Sequence, residues 1–392
     1  MDPDLSPLDD HLDDRDVDGY LIDDDADNAD QYYLAGFHAP DPFVTLYDGA
    51  VHLMMMRTLE LSRAKEEARA ETVETNVDYG YLDLKDDHDP YRAHRIAIAR
   101  FLDAHGVESV ATPPRFPLAT ADVLREEGLE VVPDDESVVE VCRGRKTEVE
   151  VDHVRTAQRA NERAMARAEE LLATATVADD GTLLHDGEPL TSERVRQEIE
   201  IELLRQNCTL SETIVAGGHQ AADAHERGSG PLHADEAIIV DIFPRHKGNR
   251  YHADMTRTFV LGDPEETVRE WYELTLEAKR AALDAVEPGA SGEDVHGAAC
   301  DVYEDAGYPT LRTDPETETG YVHSTGHGVG LDVHEYPKVA NDGPELEAGH
   351  VITIEPGLYD PDVGGVRIED LVVVTEDGYE NLTDYESELV VE

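Results

Sequence analysis

The sequence predicts an α/β domain at residues 1–146, followed at 147–392 by an α+β domain with an antiparallel sheet and a pseudo-twofold repeat. Three observations predict it. Strand-like and helix-like stretches alternate from residue 20 to about 142, a run at 147–175 rich in Ala, Glu and Arg reads as one long helix, and beyond it two helices separate two pairs of strands. A chain of 392 residues is long enough for two or three domains.

In the first domain the expected strands are 19–23, 43–47 and 51–56, with Asp48-Gly49 turning the last two into a hairpin. Helices are expected at 59–70 and at 91–105, the second ended by Gly106, and strands at 107–111 and 129–132. The run Met54-Met55-Met56 is read as buried strand. In the second domain a short hairpin is expected at 179–189 and a helix at 192–206 with Ser192 as its N-cap. Helices at 264–286 and 292–306, and strands at 237–243, 252–261, 350–355 and 366–375, complete the expectation, with Gly364-Gly365 as a turn. No clear internal sequence similarity proves the repeat.

Charge sets the chain apart. Asp and Glu number 89 against 32 Lys and Arg, a net charge of −57. Such a surface repels nucleic-acid backbones and anionic membranes, so neither is expected as a partner. At ~1 M salt the screening length falls to roughly 3 Å, which removes most of the self-repulsion, and the composition resembles that of halophilic proteins. Residues 1–16 combine many acids with few apolar side chains and are expected to be disordered. Cys142, Cys208 and Cys300 show neither pairing nor zinc spacing, as in a reducing compartment. With no signal-peptide pattern and no apolar run near the ~18–20 residues of a membrane span, a cytoplasmic protein is expected.

The chemistry concentrates in the second domain. Asp241 interrupts the apolar strand Ile238-Ile239-Val240-Asp241-Ile242, and Asp254 follows beyond a turn containing Gly248-Asn249. Glu355 closes Val351-Ile352-Thr353-Ile354, and Glu369 lies in the next strand. Two hairpins, each with one carboxylate per strand, would bring acidic groups face to face. Alternation puts Thr256 on the face of Asp254, as a hydrogen-bond partner for that carboxylate, and Arg367 on the face of Glu369. In a chain this acidic, four carboxylates near strands mean little by number. Their local sequence decides.

The segments Ile238-Ile239-Val240-Asp241, Asp254-Met255-Thr256-Arg257-Thr258, Gly326-His327-Gly328-Val329-Gly330, Ile354-Glu355-Pro356-Gly357 and Arg367-Ile368-Glu369-Asp370 resemble, in order, the motifs of the pita-bread metallopeptidases. That family includes prolidase, aminopeptidase P and methionine aminopeptidase. The resemblance covers residues 147–392, and Tyr32-Tyr33-Leu34-Ala35-Gly36-Phe37 is similar to the creatinase-type N-terminal domain of the proline-specific members. It implies five metal ligands, Asp241, Asp254, His327, Glu355 and Glu369, holding two divalent ions. Four carboxylates and one imidazole suit Mn²⁺ or Co²⁺ better than Zn²⁺ or Fe²⁺.

The same resemblance implies hydrolysis of the bond before proline in small proline-containing peptides, with Glu355 moving the proton. His225 would sit at the scissile carbonyl, His334 would support the intermediate, and Arg367 would bind a substrate or product carboxylate. His219 and His323 are left as bystanders. A homodimer is implied as well, and an N-terminal domain that narrows access. The stretch between Asp241 and Asp254 is slightly longer than the family's, and Ile242-Phe243-Pro244 replaces small residues, so the resemblance does not fix the shape of the pocket beside Asp241. The alternatives are a creatinase-like or methionine aminopeptidase-like hydrolase, or a non-catalytic binding protein on the same fold. His334-Glu335-Tyr336-Pro337-Lys338 is no zincin helix, for it lacks the second histidine and contains a proline. Nucleophile elbows and phosphate loops are absent from the sequence.

Overall fold

The computed structural model describes residues 3–25, 27–210 and 212–391. The chain divides into two compact units between Arg143 and Gly144, just upstream of the expected boundary.

The first unit opens with a helix, α1 (Ser6–Arg15), where disorder was expected. Pro7 starts it, and Leu8, His11 and Leu12 form an apolar stripe at helical spacing among the acids. Leu8 is 0 % exposed and Leu12 6 %. Burial of each leucine contributes roughly 1.5–3 kcal/mol, a gain that the average composition of the segment conceals. Residues 1 and 2 lie outside the described residues.

The strands β1 (Gly19–Asp24), β2 (Phe43–Tyr47), β3 (Val51–Met55), β4 (Thr72–Thr75), β5 (Ser109–Thr112) and β6 (Glu130–Pro133) follow. Among the described residues they form one mixed sheet in the order β4-β3-β2-β1-β5-β6. The β2–β3 hairpin turns at Asp48-Gly49, with Gly49 at φ 97°, and Met54 is wholly buried, as a strand of this run requires. The helix α2 (Pro90–Ala104), capped by Asp89, packs Ile98, Phe101 and Leu102 against Leu21, Leu46 and Met54.

The second unit begins with α3 (Glu148–Ala173), whose N-terminus is a capping box between Thr147 and Glu150. Next comes α4 (Ser192–Arg205). Its N-cap is Thr191, which accepts from the Arg194 amide, and not Ser192, which is the first helical residue. This pair backs a three-stranded antiparallel sheet, β7 (Thr213–Gly217), β8 (Ile238–Ile242) and β9 (Met255–Phe259), with β8 central. Val195, Ile199 and Leu203 meet Val215, Val240 and Phe259 in one core. The tip between β8 and β9 is no simple turn, because Arg245–His246 pairs with Cys208–Thr209.

A second helix pair, α5 (Glu266–Asp284) and α6 (Gly292–Asp305), backs another antiparallel array. Its strands are β10 (Gly326–Gly328), β11 (Glu335–Val339), β12 (Val351–Ile354), β13 (Gly357–Asp360), β14 (Gly364–Arg367), β15 (Asp370–Thr375) and β16 (Gly378–Asn381). Helix pair plus antiparallel strands thus occurs twice, the pita-bread layout. The expected strand 366–375 is in fact two, and Gly364-Gly365 lies inside β14. The turn is the preceding Asp360-Pro361-Asp362, where proline sets the bend and Asp360 accepts from the Asp362 amide at 2.8 Å. Cys142, Cys208 and Cys300 are buried free thiols. Among the described residues no helix is long and apolar enough to cross a membrane.

Candidate metal centre

Strand register brings the acidic side chains together. Asp241 on β8 lies opposite Thr256 on β9, so Asp254 stands diagonal to it and not directly across. In the other hairpin Ile354 pairs with Asp370, and extending that register by one residue sets Glu355 opposite Glu369. The two hairpins are stitched together. The Glu369 amide donates to Thr256 O at 3.0 Å, and the Arg367 amide donates to the Thr258 hydroxyl at 3.0 Å.

His327 arrives from β10, where the ladder with β11 shifts register between His327 and Gly328. Such an irregularity re-aims a side chain. The flanking glycines are steric necessities: a Cβ on Gly326 would run into Thr353 O, and one on Gly328 into Tyr336 O. Ligand atoms of Asp254, His327 and Glu369 all lie within 4.8 Å of one another. His327 Nε2 is 3.3 Å from Glu355 Oε1 and 3.8 Å from Asp254 Oδ2. Its Nδ1 lies 3.1 Å from Gly328 O, a pure acceptor, so Nδ1 carries a proton and Nε2 is the ring nitrogen turned toward the two carboxylates.

The polar groups of this centre are left unsatisfied by the protein alone. Asp241 Oδ1 and Glu369 Oε1 are buried without a hydrogen-bond partner among the described residues. Burial first, and then the charges of Glu369, Asp241 and Glu355, push Asp254 well above the ordinary carboxylate range. Burial, Glu355 and Asp241 do the same to Glu369. Asp241 is raised by burial against the pull of Arg367. Glu355 is the exception: burial would raise it, but the hydrogen bond and charge of His327 hold it at about 2. Two like charges ~4 Å apart repel by about 4 kcal/mol at an effective dielectric of ~20. Orphaned oxygens, crowded carboxylates and an imidazole nitrogen aimed among them fit divalent cations, which would relieve both the missing hydrogen bonds and the repulsion.

The surrounding residues depart from the sequence reading in three ways. Thr256 Oγ1 donates to Glu369 Oε2 at 2.8 Å, where Asp254 was the expected acceptor. Arg367 is 3 % exposed, and its guanidinium is committed within the protein. Its Nη2 donates to Asp241 Oδ2 at 2.7 Å, Nη1 to the Tyr359 hydroxyl at 2.8 Å and Nε to Thr256 Oγ1 at 3.3 Å. A guanidinium so engaged orients Asp241, a contact that the sequence reading did not include. Lastly, His323 is part of the site, bonded to the Tyr359 hydroxyl at 2.9 Å and near enough to help lower Glu355. No motif marked His323 or Tyr359, and only their convergence in space reveals them.

His334 keeps an exposed edge and stacks edge-on against His327, with ring centroids 4.2 Å apart. Burial of its inner face, then His327, lowers its pKa. His225 is exposed on the loop after the short helical turn Gly218–Ala222, within electrostatic reach of His323 and His334. His219 is exposed.

Comparison with known proteins agrees with this geometry. Residues 152–376 match metallopeptidase family M24. The chain is 40% identical over 181 residues to the Xaa-Pro dipeptidase of Pyrococcus furiosus, a match covering 46% of this chain and about half, 49%, of that relative. It is 28% identical over 383 residues to the Xaa-Pro dipeptidase of Pyrococcus horikoshii, covering 97% of this chain and 96% of the relative. The crystal structure of the prolidase from Pyrococcus horikoshii OT3 superposes with a TM-score of 0.79 at 26% identity, over 98% of this chain and 99% of the other. The chain therefore belongs to metallopeptidase family M24 and shares the fold of the prolidase structures.

Proposed function

We propose that Asp241, Asp254, His327, Glu355 and Glu369 hold two divalent cations, Mn²⁺ or Co²⁺, and that the chain hydrolyses the peptide bond before proline in small peptides. The observation that carries this reading is the pair of orphaned buried oxygens, Asp241 Oδ1 and Glu369 Oε1, beside the convergence of Asp254, His327 and Glu369. The relatives named Xaa-Pro dipeptidase support the substrate class.

A bound pair of cations would supply an activated water and polarise the scissile carbonyl. The residues do the rest. Glu355, held ionised beside His327, accepts the proton of the attacking water and returns it to the proline nitrogen. His225 and His334, at the open side, donate hydrogen bonds to the oxygen that gains charge. Arg367 and Tyr359 fix the rotamer of Asp241, and Thr256 fixes that of Glu369. A creatinase-like, cation-free chemistry would leave these buried oxygens unpaired at a cost of about 1–3 kcal/mol each, which disfavours it. The homodimer that the resemblance implies belongs to the same proposal, and sedimentation tests it.

The test is an assay of metal-stripped protein in high salt, restored with Mn²⁺ or Co²⁺, on Xaa-Pro and Xaa-Pro-Yaa peptides. Turnover of the dipeptide alone marks a dipeptidase, and turnover of the longer peptides an aminopeptidase. Hydrolysis of neither rejects the proposal.

A further inference from the structure

Outside the carboxylate centre, one more group of donors converges among the described residues, wholly within the first unit. Asp48 sits in the β2–β3 turn, His52 on β3, and His105 at the C-cap of α2. Sheet register aligns His52 with Thr72 and Met54 with Glu74 on β4, so all four share one face. The helix α2 covers that face, and its C-cap brings His105 over His52, with ring centroids 4.2 Å apart. Ligand atoms of Asp48, His52 and His105 all lie within 4.8 Å of one another.

Each imidazole already has the outer partner that metal-bound histidines use for orientation. His52 Nδ1 lies 3.0 Å from Thr72 Oγ1, while Nε2 faces Asp48 Oδ1 at 3.0 Å. His105 Nε2 lies 3.2 Å from Glu74 Oε2, which also accepts from the Tyr79 hydroxyl at 2.6 Å. The bland alternative is two separate histidine–carboxylate hydrogen bonds. It does not account for both rings being brought into contact from different elements with a carboxylate on either side. Asp48, His105 and Glu74 are partly exposed, which leaves an entry path, and the strongly acidic surface concentrates divalent cations around it.

We propose that Asp48, His52 and His105 form a binding site for a borderline divalent cation of the zinc class, completed by water. Imidazole with carboxylate selects Zn²⁺, Co²⁺, Ni²⁺ or Cu²⁺ over Mg²⁺ or Ca²⁺. Bonds of ~2.0–2.2 Å in a tetrahedral site require the donors to close by about an ångström, within reach of side-chain rotation. A cation there staples the β2–β3 turn to the end of α2.

The test uses the full-length chain, saturated with Mn²⁺, dialysed against micromolar Zn²⁺ and counted by elemental analysis. Wild type is expected to hold one more zinc per chain than His105→Gln, and zinc to raise the melting temperature of wild type but not of the variant. Equal zinc counts overturn the proposal. Should His105→Gln fail to fold, zinc-edge anomalous diffraction from wild-type crystals decides: a peak among Asp48, His52 and His105 supports the site, and its absence overturns it. None of these readouts depends on peptidase activity.

Discussion

Arg367 Nη2 donates to Asp241 Oδ2 at 2.7 Å, with the arginine buried and its other hydrogen bonds going to Tyr359, Thr256 and the Ala224 carbonyl. A buried guanidinium with fixed partners presets a ligand. Arg367→Lys, which cannot reproduce the fork, is expected to lower metal affinity about 10–100-fold and to leave KM for Xaa-Pro peptides nearly unchanged at saturating metal. Metal titrations and steady-state kinetics check it. A raised KM with unchanged metal affinity would instead favour the substrate-carboxylate role that the resemblance implies.

Glu355 differs electrostatically from the other acids of the centre, being held at about 2 beside His327 while Asp254 and Glu369 are pushed upward. Glu355→Gln is expected to cut kcat by on the order of 10²–10⁴ while circular dichroism and thermal midpoint stay near those of wild type. Near-wild-type turnover would remove Glu355 from proton transfer.

Metal-free protein should show an unusual pH dependence. Asp254 and Glu369 start from ordinary values of 3.8 and 4.5 and are both raised by folding. The folded state therefore binds protons more tightly than the unfolded chain. Stability from these groups is complete below the ordinary carboxylate range and is lost as pH rises through the raised values. Denaturant titrations of the stripped protein should show that loss. Saturating Mn²⁺, or Asp254→Asn with Glu369→Gln, should flatten it, and an equal slope in all three would contradict the assignment.

Behind the site, Asp370 joins two cations, with Arg257 Nη2 at 2.9 Å and Lys279 Nζ at 2.8 Å, all buried. Burial opposes its charge, but Lys279 and Arg257 prevail and hold it below the usual range. Asp370→Asn leaves both cations short of their counter-charge and is expected to cost about 3–5 kcal/mol. The stability from this carboxylate is present above the ordinary value of 3.8 and is lost as pH falls through the depressed one. Chemical denaturation of the variant measures it, and a loss under about 1 kcal/mol would show that the cations find other partners.

Much of this was legible before any coordinates. An aspartate inside Ile-Ile-Val-Asp-Ile has few bland explanations, and the order of five motifs pointed to the fold and to the side chains that β8, β12 and β10 bring together. What stayed hidden depends on register and distant contacts. Asp254 is diagonal to Asp241 because the register sets Asp241 opposite Thr256, two residues further on. The hairpin of β13 and β14 broke an apparently continuous strand. His323 and Tyr359 lie in segments without pattern and gain meaning only from Arg367 and Glu355 across the sheet. Residues 6–15 show how average composition misleads, since Leu8, His11 and Leu12 at the right spacing outweigh their acidic neighbours.

The most direct test counts ions and product together. Metal-stripped protein is titrated with Mn²⁺ in high salt while bound metal and proline released from an Xaa-Pro dipeptide are followed. The account predicts no turnover at the start, a rise as Mn²⁺ fills the carboxylate centre, and saturation near two ions per chain beyond any held elsewhere. Full activity in the stripped protein, or two ions bound with no proline released, would contradict it.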